Sequence, residues 1–285
     1  MSIERLESEK EGISFYKLCA SGNDFIVILN FSGEISPEEG RELAKKLCRP
    51  KFSVSADGLI LLEKSSNPQA KFAWRFFNSD GSEAEMCGNG ARCVARLVTE
   101  LGLFESPFYF ETKAGLIYAE VKGKRVKVAL TSPKDLKLNL VLRTDYDWFL
   151  AHFVNTGVPH TVIFWEDIEN APVTKIGPKI RYHEAFSPAG TNVNFINIVE
   201  KDGQKIIQIR TYERGVEGET LACGTGSAAS AYIAYKLGLV NSPVNVLTRG
   251  GELLTIYIEE NENKIYLEGD TLLVFKGTIF EDALK

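Results

Sequence analysis

The chain has 285 residues, 44% apolar and 25% charged, which excludes a disordered polymer and gives enough length for two domains of ordinary size. A formal net charge of −5 offers no overall attraction for phosphate backbones, so nucleic acid is set aside as a partner. No apolar run approaches the roughly 18 residues that cross a membrane, and the start, MSIERLESEKEGIS, lacks the apolar core of a secretory signal, so a cytoplasmic protein with no membrane partner is expected.

In chain order, residues 25–28 (Phe-Ile-Val-Ile) read as a strand, and so do residues 75–78, which are rich in aromatics. A polar glycine-bearing loop follows at 79–82, then Cys87-Gly88-Asn89-Gly90, which opens a helical pattern ending at Gly102. Ser106-Pro107 precedes two further strands, at 108–112 and 115–121. The second half repeats the plan. Strands are predicted at 195–198 and 207–212, a polar loop at 214–218, and a helix opening at Cys223-Gly224-Thr225-Gly226. That helix, over 227–237, is small and apolar on every side, which predicts burial all round, and Gly238 stops it. Ser242-Pro243 and strands at 244–247 and 253–258 follow, and a last strand at 271–275 is expected to return to the first domain.

The likeness of the halves is a sequence repeat at an offset of 136, since 223 − 87 = 136. Without a gap, residues 87–115 and 223–251 agree at 11 of 29 positions, where chance gives about two. The strand at 195–198 is read as the upstream counterpart of the strand at 25–28, with a different spacing to the cysteine. Many strands around one long buried helix per half predict an α+β fold with two pseudo-symmetric domains. Each is a curved, mostly antiparallel sheet around its helix. The expected division is 1–132 together with 271–285 for one domain and 133–270 for the other, with the active site in the cleft between them.

Five cysteines (19, 48, 87, 93 and 223) show no C-x-x-C pair, and the three histidines stand at no zinc-finger spacing from them, so no metal site is expected. Two of the five, Cys87 and Cys223, open repeated helices ahead of paired glycines. The unsatisfied N–H groups and dipole of a helix start stabilise a thiolate. The glycines admit a ligand close to the backbone, where the same N–H groups can hold a carboxylate. Two such starts facing one another would set thiol and thiolate on opposite faces of a bound carbon, the arrangement that inverts a stereocentre by proton transfer. On the residues alone, an anion-binding loop, a redox pair or an inherited packing residue remain alternatives, although the G-x-x-x-x-G-K-[ST] phosphate spacing is absent.

At these residues the sequence resembles the diaminopimelate epimerases. The likeness runs from about Phe15 to the end and is carried by several blocks. These are Ser21-Gly22-Asn23-Asp24-Phe25, Ala56-Asp57-Gly58-Leu59, Phe77-Asn78-Ser79-Asp80-Gly81-Ser82-Glu83, Cys87-Gly88-Asn89-Gly90-Ala91-Arg92, Thr156-Gly157-Val158-Pro159-His160, Asn192-Val193-Asn194-Phe195, and Tyr212-Glu213-Arg214-Gly215 with Gly218 through Gly226. The resemblance implies interconversion of LL- and meso-2,6-diaminopimelate with no cofactor, neither pyridoxal phosphate nor metal, and a homodimer. It implies Cys87 and Cys223 as the acid/base pair, with Glu213 and His160 orienting the reacting α-amino group and assisting catalysis. Gly88, Asn89, Gly224 and Thr225 would hold the α-carboxylate through backbone N–H groups. Asn23, Asn78, Asn192 and Arg214 would take the distal zwitterionic end, where Arg suits a carboxylate and Asn suits both charges. The chain departs from the family at Gly58 and Val158, where some members carry Gln and Asn, and Cys19 has no role implied.

Overall fold

A computed structural model describes residues 12–144 and 147–284; the polar start, up to residue 11, lies outside the described residues. The chain forms two compact units. One takes in the chain as far as Val126 and again from Thr271, and the other is Lys127–Asp270.

The first unit contains β1 (Gly12–Ala20), β2 (Asn23–Leu29), α1 (Pro37–Leu47), β3 (Gly58–Glu63), β4 (Ala73–Asn78), β5 (Glu83–Ala84), α2 (Gly88–Glu100), β6 (Phe108–Thr112) and β7 (Gly115–Lys122). β8 (Arg125–Ala129) carries the division between the units, ahead of the expected boundary at 132/133. A boundary inside a strand has no turn residues to mark it, whereas Ser132-Pro133 is a turn signal. The second unit contains β9 (Lys134–Arg143), β10 (Trp148–Asn155), β11 (Pro159–Phe164), α3 (Val173–Arg181), β12 (Asn192–Lys201), β13 (Gln204–Glu213), β14 (Gly218–Thr220), α4 (Gly224–Lys236), β15 (Val244–Leu247), β16 (Leu253–Glu259) and β17 (Lys264–Asp270). The final strand, β18 (Leu272–Phe280), pairs antiparallel with β1.

Strand pairing shows the repeat in three dimensions. In the first unit β2 runs antiparallel to β1 and parallel to β3, β4 is antiparallel to β3 and β5, β6 is parallel to β4, and β7 is antiparallel to β6. In the second unit β11, β12, β13, β14, β15 and β16 repeat those relations in the same order, starting from β10. β18 flanks β1 as β9 flanks β10. This corrects one expectation. The counterpart of β2 is β11, not the strand at 195–198, which lies in β12 and corresponds to β3. Short apolar strands look alike in sequence, and only the hydrogen-bonding partners tell them apart.

α4 is buried for the reason its composition gives. From Gly226 to Ala234 every residue of α4 is buried, and it packs against β10–β13 and β15–β17. α2 is buried from Asn89 to Ala95 and packs against β1, β2, β7 and β18. Both helices end alike. Gly102 (φ 67°) donates to the Thr99 carbonyl and Leu103 to Val98, while Gly238 (φ 73°) donates to Tyr235 and Leu239 to Ala234. These are paired six-to-one and five-to-two closures around a left-handed glycine. The β1–β2 hairpin turns on Ser21 (φ 52°) and Gly22 (φ 82°), both left-handed as a tight two-residue turn requires, and so sets Asn23 at the first position of β2. Among the described residues no helix is long and apolar enough to cross a membrane.

Candidate active site

Cys87 and Cys223 occupy the same position, the N-cap, of α2 and α4. Both have extended backbone, φ −144° with ψ 117° at Cys87 and φ −130° with ψ 108° at Cys223. Neither helix has an acidic residue in its first turn, so nothing there opposes negative charge at its start. The Gly90 N–H donates to Cys87 Sγ at 3.5 Å, and Cys223 Sγ lies 3.5 Å from Thr225 Oγ1. Gly88 and Gly224 are the first helical residues, and Asn89 and Thr225 follow them, so all four place backbone N–H groups in the unsatisfied first turn. Gly226 has a steric reason: a Cβ there would stand 2.4 Å from Asn194 Oδ1 and 3.3 Å from Cys223 Sγ.

Each cysteine loop follows a short strand clamped by arginine. In the first unit Arg75 on β4 reaches Glu63 at 3.2 Å and Glu83 on β5 at 3.1 Å. In the second, Arg210 on β13 grips Glu219 on β14 through Nε at 2.6 Å and Nη2 at 2.7 Å. A guanidinium fork on a carboxylate fixes orientation as well as distance, so Arg210 holds β14 in register, whereas the fork of Arg75 lies on Glu63 and a single Nη1 contact reaches Glu83.

In the first unit a hydrogen-bond chain of settled polarity joins four residues. Arg92, fully buried, donates from Nη2 to Asn89 Oδ1 at 2.7 Å. Asn89 Nδ2 donates to Asn23 Oδ1 at 2.7 Å, and Asn23 Nδ2 donates to Asp57 Oδ2 at 2.8 Å. Arginine only donates and a carboxylate only accepts, so both amides between them are oriented. Asp57 also accepts from the Asp24 N–H at 3.1 Å, and its own N–H donates to Asp24 Oδ1 at 3.0 Å, which locks β2 to the chain entering β3. Asn78, exposed at the end of β4, donates to Ser82 Oγ at 3.0 Å. At Gly58 a Cβ would lie 2.4 Å from Phe76 Cε2 and 2.7 Å from the Phe77 carbonyl oxygen. A side chain at position 58 would therefore meet both the Phe76 ring and the Phe77 carbonyl.

In the second unit His160 is fully buried. Its Nε2 is 2.9 Å from Thr225 Oγ1 and its Nδ1 is 3.2 Å from Asn194 Nδ2. Burial, with the Arg214 charge adding to it, pushes its pKa down to about 3, so the ring is neutral at physiological pH. Asn192 is buried opposite His160 on the parallel neighbour strand. It donates to the Pro159 carbonyl at 3.0 Å and accepts from the Arg214 N–H at 2.8 Å, so it fixes the backbone on either side of it. Arg214 is half-buried, and its Nη1 donates to the Ala189 carbonyl at 3.2 Å. Glu213, the last residue of β13, is half-buried and pairs with Gly218. Thr156 Oγ1 donates to the Thr225 carbonyl at 3.0 Å and pins the α4 start to the β10–β11 turn.

Sequence reasoning passed over Arg92, Asp57, Thr156 and Asn194. Asn194 was accessible to it: residues two apart on a strand share a face, so a role for Asn192 implies the same face for Asn194. The remaining cysteines are placed differently. Cys48 and Cys93 are buried in the first unit, Cys19 is half-buried on β1, and burial pushes the Cys48 thiol up to about 12, which keeps it protonated.

The sequence matches the diaminopimelate epimerase family over residues 15–135 and 152–274. It is 47% identical over 282 residues to the diaminopimelate epimerase of Aquifex aeolicus, covering 96% of this chain and 100% of that protein. It is 50% identical over 273 residues to that of a Hydrogenobaculum species, covering 92% and 97%. Among solved structures, a probable proline racemase from Agrobacterium radiobacter K84 shares the fold, with a TM-score of 0.69 at 15% identity over 94% of this chain and 92% of that one.

Proposed function

The chain belongs to the diaminopimelate epimerase family, and from that membership we propose that Cys87 and Cys223 are the two acid/base groups with which it interconverts LL- and meso-2,6-diaminopimelate without pyridoxal phosphate. The observation that carries this is the shared N-cap geometry of the two cysteines, each opening a buried helix at the same point of a repeated fold. One thiolate takes the α-proton, leaving a carbanion whose charge spreads into the α-carboxylate. The other thiol returns its proton to the opposite face and becomes the thiolate, so the enzyme ends each turnover with its two sulfurs exchanged in protonation. The N–H groups of Gly88, Asn89, Gly224 and Thr225 hold the carboxylate as that charge develops, which is where such donors have most effect.

Glu213, together with His160 acting through the Thr225 hydroxyl, orients the α-amino group. Asn23, Asn78, Asn192 and Arg214 serve the distal end, the guanidinium facing the distal carboxylate. Val158 leaves the β10–β11 turn without the amide that some family members carry there. The reaction belongs to lysine and cell-wall precursor synthesis, and paired reduced thiols suit the cytoplasm. The protein works as a homodimer; exposed Leu272, Val274 and Phe275 on β18 support an association surface.

The deciding experiment is proton NMR of LL-diaminopimelate with the reduced protein in D₂O. The expected result is the meso form with deuterium at one α-carbon and no added pyridoxal phosphate. Exchange of proline but not diaminopimelate would overturn the substrate, and no exchange with either would overturn the activity.

A further inference from the structure

Asn194 is fully buried on β12, directly beneath the Cys223 loop, and no role above uses it. Its amide is oriented by the Thr161 carbonyl, which can only accept. Nδ2 donates to the Thr161 carbonyl at 3.0 Å, and Oδ1 accepts from Thr211 Oγ1 at 2.9 Å. A flipped amide would set two acceptors face to face at Thr161. The second Nδ2 hydrogen is therefore aimed at His160 Nδ1, 3.2 Å away, and Nδ1 must present its lone pair. A neutral imidazole accepting at Nδ1 carries its proton on Nε2. That N–H donates to Thr225 Oγ1 at 2.9 Å, and the threonine's own hydrogen is left to point at Cys223 Sγ, 3.5 Å away.

We infer that Asn194 and the Thr225 hydroxyl are positioning residues: Asn194 fixes the His160 tautomer, the tautomer fixes the Thr225 rotor, and the rotor supplies a hydrogen-bond donor that stabilises the Cys223 thiolate. This rests on reading Cys223 as an acid/base thiol. Hydrogen bonding to the charged form of a group favours that form. The low proton affinity of buried His160 keeps the chain intact, because an imidazolium would place N–H against N–H at Asn194. The repeat sharpens the contrast. At the position matching Thr225 stands Asn89, whose Nδ2 donates to Asn23. The two half-sites are thus wired differently, one from a buried arginine through amides and the other through a neutral imidazole and a hydroxyl.

The test uses the full chain and two readouts that need no turnover. The first is ¹⁵N NMR of labelled histidine, which reports the His160 tautomer. The second is the pH profile of iodoacetamide modification at Cys223, resolved by peptide mass spectrometry. Expected are a neutral Nε2–H tautomer in the wild type and a Cys223 profile shifted to higher pH by about one unit in Thr225→Val. Thr225→Ser should restore the wild-type profile, and Asn194→Asp should move the proton to Nδ1 or protonate the ring. An Nδ1–H tautomer in the wild type, or a Thr225→Val profile that coincides with wild type, would overturn the inference. If Asn194→Asp does not fold, the Thr225 pair and the wild-type tautomer still decide it. Expected shifts in a protein that exchanges no α-proton would uphold the relay and sink the epimerase reading alone.

Discussion

Cys87 and Cys223 are chemically alike and locally alike, yet each depends on a different set of neighbours. If both move the proton, replacing either by alanine removes a group that has no substitute in the mechanism. Cys87→Ala and Cys223→Ala are each predicted to slow epimerisation by about 10³-fold or more, read as loss of α-deuterium incorporation, while substrate binding by calorimetry stays within about tenfold. Near wild-type turnover in either variant would exclude the two-thiol scheme. His160 makes a separate prediction. Its folded pKa is about 3, against about 6.5 in an unfolded chain. Below pH 6.5 the unfolded state takes up a proton that the folded state refuses. The stability this histidine contributes is therefore fully present above about pH 6.5 and is lost as pH falls toward 3. Denaturant unfolding at pH 7, 5.5 and 4 should show a decline that is shallower in His160→Gln. Equal slopes in the two proteins would place the titration elsewhere.

At the scale of elements, helix starts and stops carry the most information. Gly238 takes φ 73° and has nothing within 4 Å of a built Cβ, so Gly238→Ala meets backbone strain and no clash. It should cost about 1 kcal/mol in urea unfolding and leave the exchange rate unchanged. Gly226→Ala is the opposite case: its Cβ would be driven into Asn194 Oδ1 and the Cys223 side chain. It is predicted to cost more in turnover than in stability, by at least tenfold in kcat, because the helix start must shift and carry the thiol with it. A larger effect on unfolding than on kcat would show that the loop relaxes without moving the sulfur.

At the scale of the molecule, the first unit is discontinuous, since β18 returns to pair with β1 along nearly its whole length. Ile279 of β18 is buried in one cluster with Phe15, Ile26, Leu47, Leu59 and Phe77. Ile279→Ala is predicted to destabilise by about 2–4 kcal/mol, measured by chemical denaturation, although it lies near the end of the sequence and far from either cysteine in the chain. A cost below about 1 kcal/mol would mean that the last strand is an appendage and not part of the core.

The duplication, the two helix-opening cysteines, the burial of α4 and the glycine stops were legible along the chain. Each of these is local: a cap, a periodicity or a left-handed residue is written within a few positions of where it acts. Tertiary structure alone decided that β2 corresponds to β11, because strand identity resides in pairing and not in composition. It also decided that the Phe76 ring and the Phe77 carbonyl crowd position 58, and that Arg92 orients Asn89, Asn23 and Asp57 in turn. The depressed proton affinity of His160 belongs to the same class. So does the polarity of the chain from Asn194 toward Cys223. Burial and hydrogen-bond direction come from partners brought in by distant strands, and no window along the sequence contains them.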